Sequence, residues 1–188
     1  MIRKAIQDFL DNKLGQLLDV KDTCVYNEFS LQHELGIYLR QKLPNNYRVQ
    51  FERNVDDVFP GNGITIKKEM DIYIFNKSNV NEKYAIELKF PRNGAYPKRM
   101  SQFIDDIKFM DGVKKAGATK TYVLTLVEDK NFYTPTGRKT ANNTYECFRG
   151  IENNGIYIPP QKVCNQYQIE WKPVKGADSK YRYYFLEI

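Results

Sequence analysis

Three stretches of this chain place a glutamate two residues before a lysine: Glu87/Lys89, Glu128/Lys130 and Glu170/Lys172. On a β-strand, side chains so spaced share one face and lie about 6–7 Å apart along it. In "YAIELKF", residues 84–90, this puts Tyr84, Ile86, Leu88 and Phe90 on an apolar face and Ala85, Glu87 and Lys89 on the other. That second face is either solvated or shaped for chemistry. Context separates the three copies. Glu128/Lys130 falls off the end of a strand and Glu170/Lys172 lies in a final hairpin, whereas Glu87/Lys89 has Asp71 entering the preceding strand across a hairpin. It alone also has a helix-borne glutamate upstream and an amphipathic helix directly after it. Two carboxylates on adjacent strands hold a hard divalent cation through oxygen and leave several waters on it. Such an ion lowers the pKa of a bound water and stabilises charge developing on a phosphoryl oxygen. An ammonium beside it orients that water or offsets the charge. Asp71, Glu87 and Lys89 together suit hydrolysis of a phosphodiester.

Composition narrows the chemistry further. The chain has one histidine, His33, and three widely separated cysteines, Cys24, Cys147 and Cys164, with no C-x-x-C. This argues against a zinc site, a disulfide framework and any mechanism needing two imidazoles. A metal would be held by oxygen, which selects magnesium, manganese or calcium. The net charge of +6 suits a polyanion such as nucleic acid. No stretch is long and apolar enough to span a membrane, and charges interrupt the N-terminal "MIRKAIQDFLDNKLGQLLDV", unlike a signal peptide. A cytoplasmic protein with no membrane partner is expected. With 188 residues, 41% of them hydrophobic, the chain is expected to form one domain over 1–188.

The elements that must position these residues follow from periodicity. Apolar residues from Ile2 to Leu18 predict a helix over 2–19, and Leu31, Leu35, Tyr38 and Leu39 predict a second over 27–42, stopping before Pro44. Strands are predicted at 47–55, 70–75 and 83–90, the last two joined by the polar hairpin loop "NKSNVNE". After "PRNGAYP" the period becomes helical, with Met100, Phe103, Ile104, Ile107, Met110 and Val113 as a stripe that ends near Gly112 to Gly117. "KTYVLTLVE", 120–128, is almost wholly apolar and predicts a central strand covered on both faces. A short helix near 144–151 and a closing hairpin of "YQIEWKPV" with "YRYYFLEI" complete the reading.

"MDIYIF" followed by "YAIELKF", flanked by "YNEFSLQHELGIYL" and "PKRMSQFIDDIKFMDGV", resembles the PD-(D/E)XK, or restriction-endonuclease-like, nuclease superfamily. The similarity covers about residues 26–127, and Met70 stands where the motif has proline. The resemblance implies an α/β fold with an αβββαβ core and a mixed central sheet, here with an extra N-terminal helix and a C-terminal β-hairpin. It implies that Asp71 and Glu87 bind magnesium, with manganese as a substitute, and that Lys89 is the catalytic lysine. Members often add a glutamate from the first core helix. Glu28 shares a helical row with Leu31, Gln32 and Leu35, Glu34 one with Leu31, Ile37, Tyr38 and Gln41; the resemblance favours Glu28. Lys98, Gln102 and Asp106 form a polar row beside the apolar stripe of the later helix. Gln102 there is a candidate near the site, and Lys98 and Arg99 are candidates for phosphate contact.

The expected function is thus a magnesium-dependent deoxyribonuclease acting in restriction, defence or repair. Cutting both strands of a duplex needs two sites, so a restriction-type enzyme would be a homodimer. The rival readings are a non-catalytic nucleic-acid-binding protein that keeps the fold, and a subunit of a larger defence or repair complex.

Overall fold

Strands from the middle and from the end of the chain pair into a mixed six-stranded sheet. The structure is a computed structural model that describes residues 1–19, 23–61, 63–64, 67–92, 94–137 and 143–188. In chain order its elements are α1 (Ile2–Asn12), α2 (Leu14–Leu17), α3 (Glu28–Lys42), β1 (Tyr47–Asn54), α4 (Val55–Val58), β2 (Glu69–Asn76) and β3 (Asn79–Lys89). There follow α5 (Tyr96–Lys115), β4 (Lys120–Val127), a 3₁₀ turn (Lys130–Phe132), α6 (Thr144–Phe148), β5 (Ile151–Asn153), β6 (Ile156–Ile158), β7 (Lys172–Pro173) and β8 (Arg182–Glu187). The run α3, β1, β2, β3, α5, β4 has the predicted α-β-β-β-α-β order, with only the four-residue α4 inserted.

The sheet order is β1-β2-β3-β4-β8-β7. β3 and β4 are parallel, as the helical crossover α5 between them permits; every other neighbouring pair is antiparallel. Each face is covered. α1, α2 and α3 pack with Ile72, Ile74, Ile86, Leu88, Leu124 and Leu126 on one side, and the stripe of α5 packs with Tyr73, Ala85, Val123 and Tyr184 on the other. β4 is buried from Thr121 to Val127, in keeping with its apolar sequence and central place. Among the described residues no helix is long and apolar enough to cross a membrane.

Two expectations at the chain's ends are corrected. The helix predicted over 2–19 breaks at Lys13 (φ −122°) into α1 and α2. Gly15 lies against the later turn, where a Cβ would sit 1.9 Å from the Lys175 carbonyl oxygen, so tertiary packing redirects a segment whose periodicity alone reads as continuous. The closing hairpin pairs only Lys172 and Pro173 with Tyr183 and Arg182; β8 joins the main sheet through its full register with β4.

The N-terminus of α3 matters for the site. Asn27 caps it by accepting from the Ser30 N–H at 2.8 Å, while the Ser30 hydroxyl accepts from the Asn27 N–H at 2.9 Å. The reciprocal cap starts the helix at Glu28, so its carboxylate occupies the first turn, where the helix dipole favours negative charge. Further along, Gly36 lets the helix approach β1: a Cβ there would lie 2.2 Å from Phe51 ring atoms.

Candidate active site

β3 outruns its antiparallel partner, because the pairing of β2 with β3 ends at Ile72–Ile86. The N–H groups of Leu88 and Phe90, two residues apart and so on one strand edge, need other acceptors. Carboxylates provide them. Asp71 Oδ2 accepts from Leu88 N at 2.7 Å and Glu28 Oε2 accepts from Phe90 N at 3.1 Å. Backbone accounting thus draws side chains from β2 and α3 to the end of β3.

The second face of "YAIELKF" is not solvated. Glu87 is 0% exposed, beneath α5, and an exposed charge pair is therefore excluded at this copy. The Lys89 ammonium lies 3.2 Å from Glu28 Oε1 and 3.8 Å from both Glu87 Oε1 and Asp106 Oδ2. A second ammonium joins the cluster: Lys67 Nζ is 3.1 Å from Asp71 Oδ1 and also donates to Glu87 Oε1. Glu87 Oε2 makes no hydrogen bond among the described residues, nor does Asp106 Oδ2.

Four carboxylates, Glu28, Asp71, Glu87 and Asp106, therefore face two ammoniums. Burial, with the Asp71 and Asp106 charges, pushes the Glu87 carboxyl well above the usual range, against the pull of Lys67. Burial likewise raises Asp106 to about 7, although Lys89 and Lys67 oppose it. For Lys89 burial acts against the charged form, but Asp106, Glu28 and Glu87 outweigh it and raise its pKa. Lys67 behaves the same way, with Glu87 and Asp71 prevailing over burial. Both lysines stay charged, and the negative excess falls on Glu87 and Asp106.

This arrangement fits a hard divalent cation. Among the described residues no three His, Cys, Asp or Glu side chains form a preassembled metal cage. Magnesium, however, needs only one or two carboxylates and keeps its waters. Asp71 Oδ1 and Glu87 Oε1 already converge on a single cation, the Lys67 ammonium, and Glu87 Oε2 is unpartnered among the described residues.

The cluster opens into a cavity of about 460 Å³ whose lining includes Glu28, Asp71 and Lys89, with Arg92 and Arg99 from the following segment and Phe29 exposed beside them. Of the other predicted residues, Arg99 lines this cavity, and its buried Nε has no partner among the described residues. Gln102 accepts from Arg99 Nη1 at 3.1 Å and reaches the cavity only through it, while Lys98 is exposed and lines no part of it. Glu34 turns away and lies 3.8 Å from His33 Nδ1, whereas Glu28 contacts Lys89.

Four participants were absent from the sequence reading of the site. Lys67 comes from an irregular stretch with no periodicity. Asp106, which its spacing of four from Gln102 puts in the polar row of α5, lies between Phe103 and Met110 on the buried side. Its spacing of three and four from those residues was the available signal. Gln32 is buried and donates to both the Asp71 carbonyl (2.7 Å) and Glu52 Oε1. Glu52 lines the cavity from between the Phe51–Ile72 and Arg53–Met70 pairs, with a left-handed φ of 49° uncommon for a non-glycine residue.

Compared with family models, curated proteins and solved structures, the chain finds no match. The functional reading rests on this geometry and on the motif.

Proposed function

We propose that this chain is a magnesium-dependent nuclease of the PD-(D/E)XK, restriction-endonuclease-like type that hydrolyses phosphodiester bonds of DNA. The observation that carries the reading is the convergence of Asp71 Oδ1 and Glu87 Oε1 on one cation, with Lys89 Nζ 3.8 Å from the same Glu87 oxygen. The α-β-β-β-α-β order of elements supports it, as does the net charge of +6. Magnesium or manganese held by Asp71 and Glu87 would supply a bound water of lowered pKa and positive charge for a phosphoryl oxygen. Lys89, anchored by Glu28 and Asp106, keeps its proton and presents a fixed positive charge towards the cavity, where it offsets charge developing on the reacting phosphate. Glu28 and Asp71 also tie down the Phe90 and Leu88 N–H groups, so the strand end carrying Lys89 is held in place. Arg92 and Arg99 offer positive charge to flanking phosphates.

One observation favours a second reading, a nucleic-acid-binding protein without turnover: the Lys67 ammonium lies between the carboxylates assigned to the metal. Incubation with supercoiled plasmid, single-stranded DNA and RNA, each with magnesium, manganese, calcium or EDTA, separates the two. The nuclease reading expects cleavage with magnesium or manganese and binding without turnover in calcium. Cleavage that persists in excess EDTA overturns the mechanism, and DNA binding without cleavage in any metal establishes the second reading. Cutting both strands of the plasmid together would call for a homodimer.

A further inference from the structure

Asp71 and Glu87 are not vacant acceptors, because an ammonium from the chain already pairs with both. Lys67 reaches them from just ahead of β2, with Nζ 3.1 Å from Asp71 Oδ1 and hydrogen-bonded to Glu87 Oε1. The other Asp71 oxygen is committed to the Leu88 N–H at 2.7 Å. Each Asp71 oxygen thus carries one hydrogen bond, and an ion bridging Asp71 and Glu87 must settle where the Lys67 ammonium already bridges Oδ1 and Glu87 Oε1. Magnesium binds carboxylate oxygen at about 2.0–2.1 Å, so a dication between the two carboxylates would stand against the Lys67 ammonium in a partly buried site, where like charges repel strongly. Lys67 also has somewhere to go. Its side chain is 31% exposed, against 0% for Glu87, so the flexible stem has a route to water that the carboxylate lacks.

We infer that Lys67 is an internal counter-cation that competes with the divalent metal for Asp71 and Glu87, and that metal enters by expelling its ammonium to solvent. The inference rests on the reading that these two carboxylates hold the metal. In the metal-free protein Lys67 pairs with one oxygen of each of two buried carboxylates; its cost is a weaker metal site. Metal loading then exchanges one charge for two and frees an ammonium at the edge of the site.

The test compares Mn²⁺ binding, by calorimetry and by electron paramagnetic resonance, in the wild type, Lys67→Met and Glu87→Gln, with no nucleic acid present. Methionine keeps the length of the stem and removes the charge. Lys67→Met should bind Mn²⁺ roughly tenfold or more tightly, since a unit charge about 3 Å from a ligand oxygen is removed from a partly buried site. In EDTA the same variant should melt below the wild type, and Mn²⁺ should raise its melting temperature by more. A second measurement needs no variant: acetylation of Lys67 in the wild type, read by peptide mass spectrometry, should increase on adding Mn²⁺ as the ammonium leaves the carboxylates. Mn²⁺ binding lost in Glu87→Gln but unchanged or weakened in Lys67→Met overturns the competition alone, as does Lys67 acetylation that Mn²⁺ leaves unchanged or lowers. Absence of Mn²⁺ binding in every form overturns the metal reading, and the competition with it.

Discussion

Replacing Lys89 by methionine removes a charge that three carboxylates share while keeping a side chain of similar length. Taking one partner from a buried ion pair costs about 3–5 kcal/mol when the other is left without compensation. Here the loss is smaller, for two reasons visible in the site. The Glu28 side chain is 40% exposed and can turn to water, and Asp106, whose carboxyl is pushed up to about 7, can take a proton. The expected destabilisation is therefore about 1–3 kcal/mol near neutral pH. The catalytic effect should be larger, roughly 10²-fold or more in single-turnover cleavage, the scale of removing one preorganised electrostatic donor. Urea denaturation in EDTA gives the first quantity and plasmid nicking in magnesium the second. The other Glu-x-Lys copies are controls. Glu170 and Lys172 lie 3.7 Å apart with side chains 78% and 50% exposed, and Glu128 pairs with Arg92 and Lys180. Lys172→Met and Lys130→Met should each change stability by less than about 1 kcal/mol and leave cleavage unchanged. A Lys89→Met protein that loses stability yet cleaves at the wild-type rate would refute the catalytic assignment and leave Lys89 a structural counter-charge.

Two further outcomes follow from the same geometry. Glu28→Gln should cut the cleavage rate at least roughly tenfold, because Lys89 loses its nearest carboxylate, while Glu34→Gln, facing His33, leaves it unchanged; the reverse ranking in a single-turnover assay would mean the wrong helix face has been assigned. Asp106 supplies a pH dependence. Its carboxyl moves from 3.8 to about 7 on folding, so the folded chain holds a proton that the unfolded chain has released between those values, and stability falls as pH rises through that window. Asp106→Asn removes this loss: its advantage over the wild type should be near zero at pH 4 and grow to as much as about 4 kcal/mol above pH 7. Chemical denaturation in EDTA across pH 4–8 measures it, and an advantage that shrinks with rising pH contradicts the argument.

What the sequence determined by itself was which side chains share a face wherever a local period survived packing, as it did not across Lys13. The two-residue alternation of "YAIELKF" placed Glu87 and Lys89 together on one face, and the stripe from Met100 to Val113 became the buried side of α5. The row of Glu28 with Leu31, Gln32 and Leu35 turned towards the sheet, carrying Glu28 to Lys89. Periodicity says which side chains share a face, but not what lies opposite. Whether the charged face of β3 met water or a helix depended on how α5 crosses between β3 and β4, and only that packing made Glu87 fully buried. The partners came from far along the chain: Lys67 is 20 residues from Glu87, and Gln32 is 39 from Asp71. Lys67 does stand four residues before Asp71, but outside any helix, so that spacing carries no periodic signal, and the longer separations leave none. Such meetings arise because β3 outruns β2 and its unpaired N–H groups need acceptors, and because buried carboxylates need cations, demands that exist only once the sheet has formed.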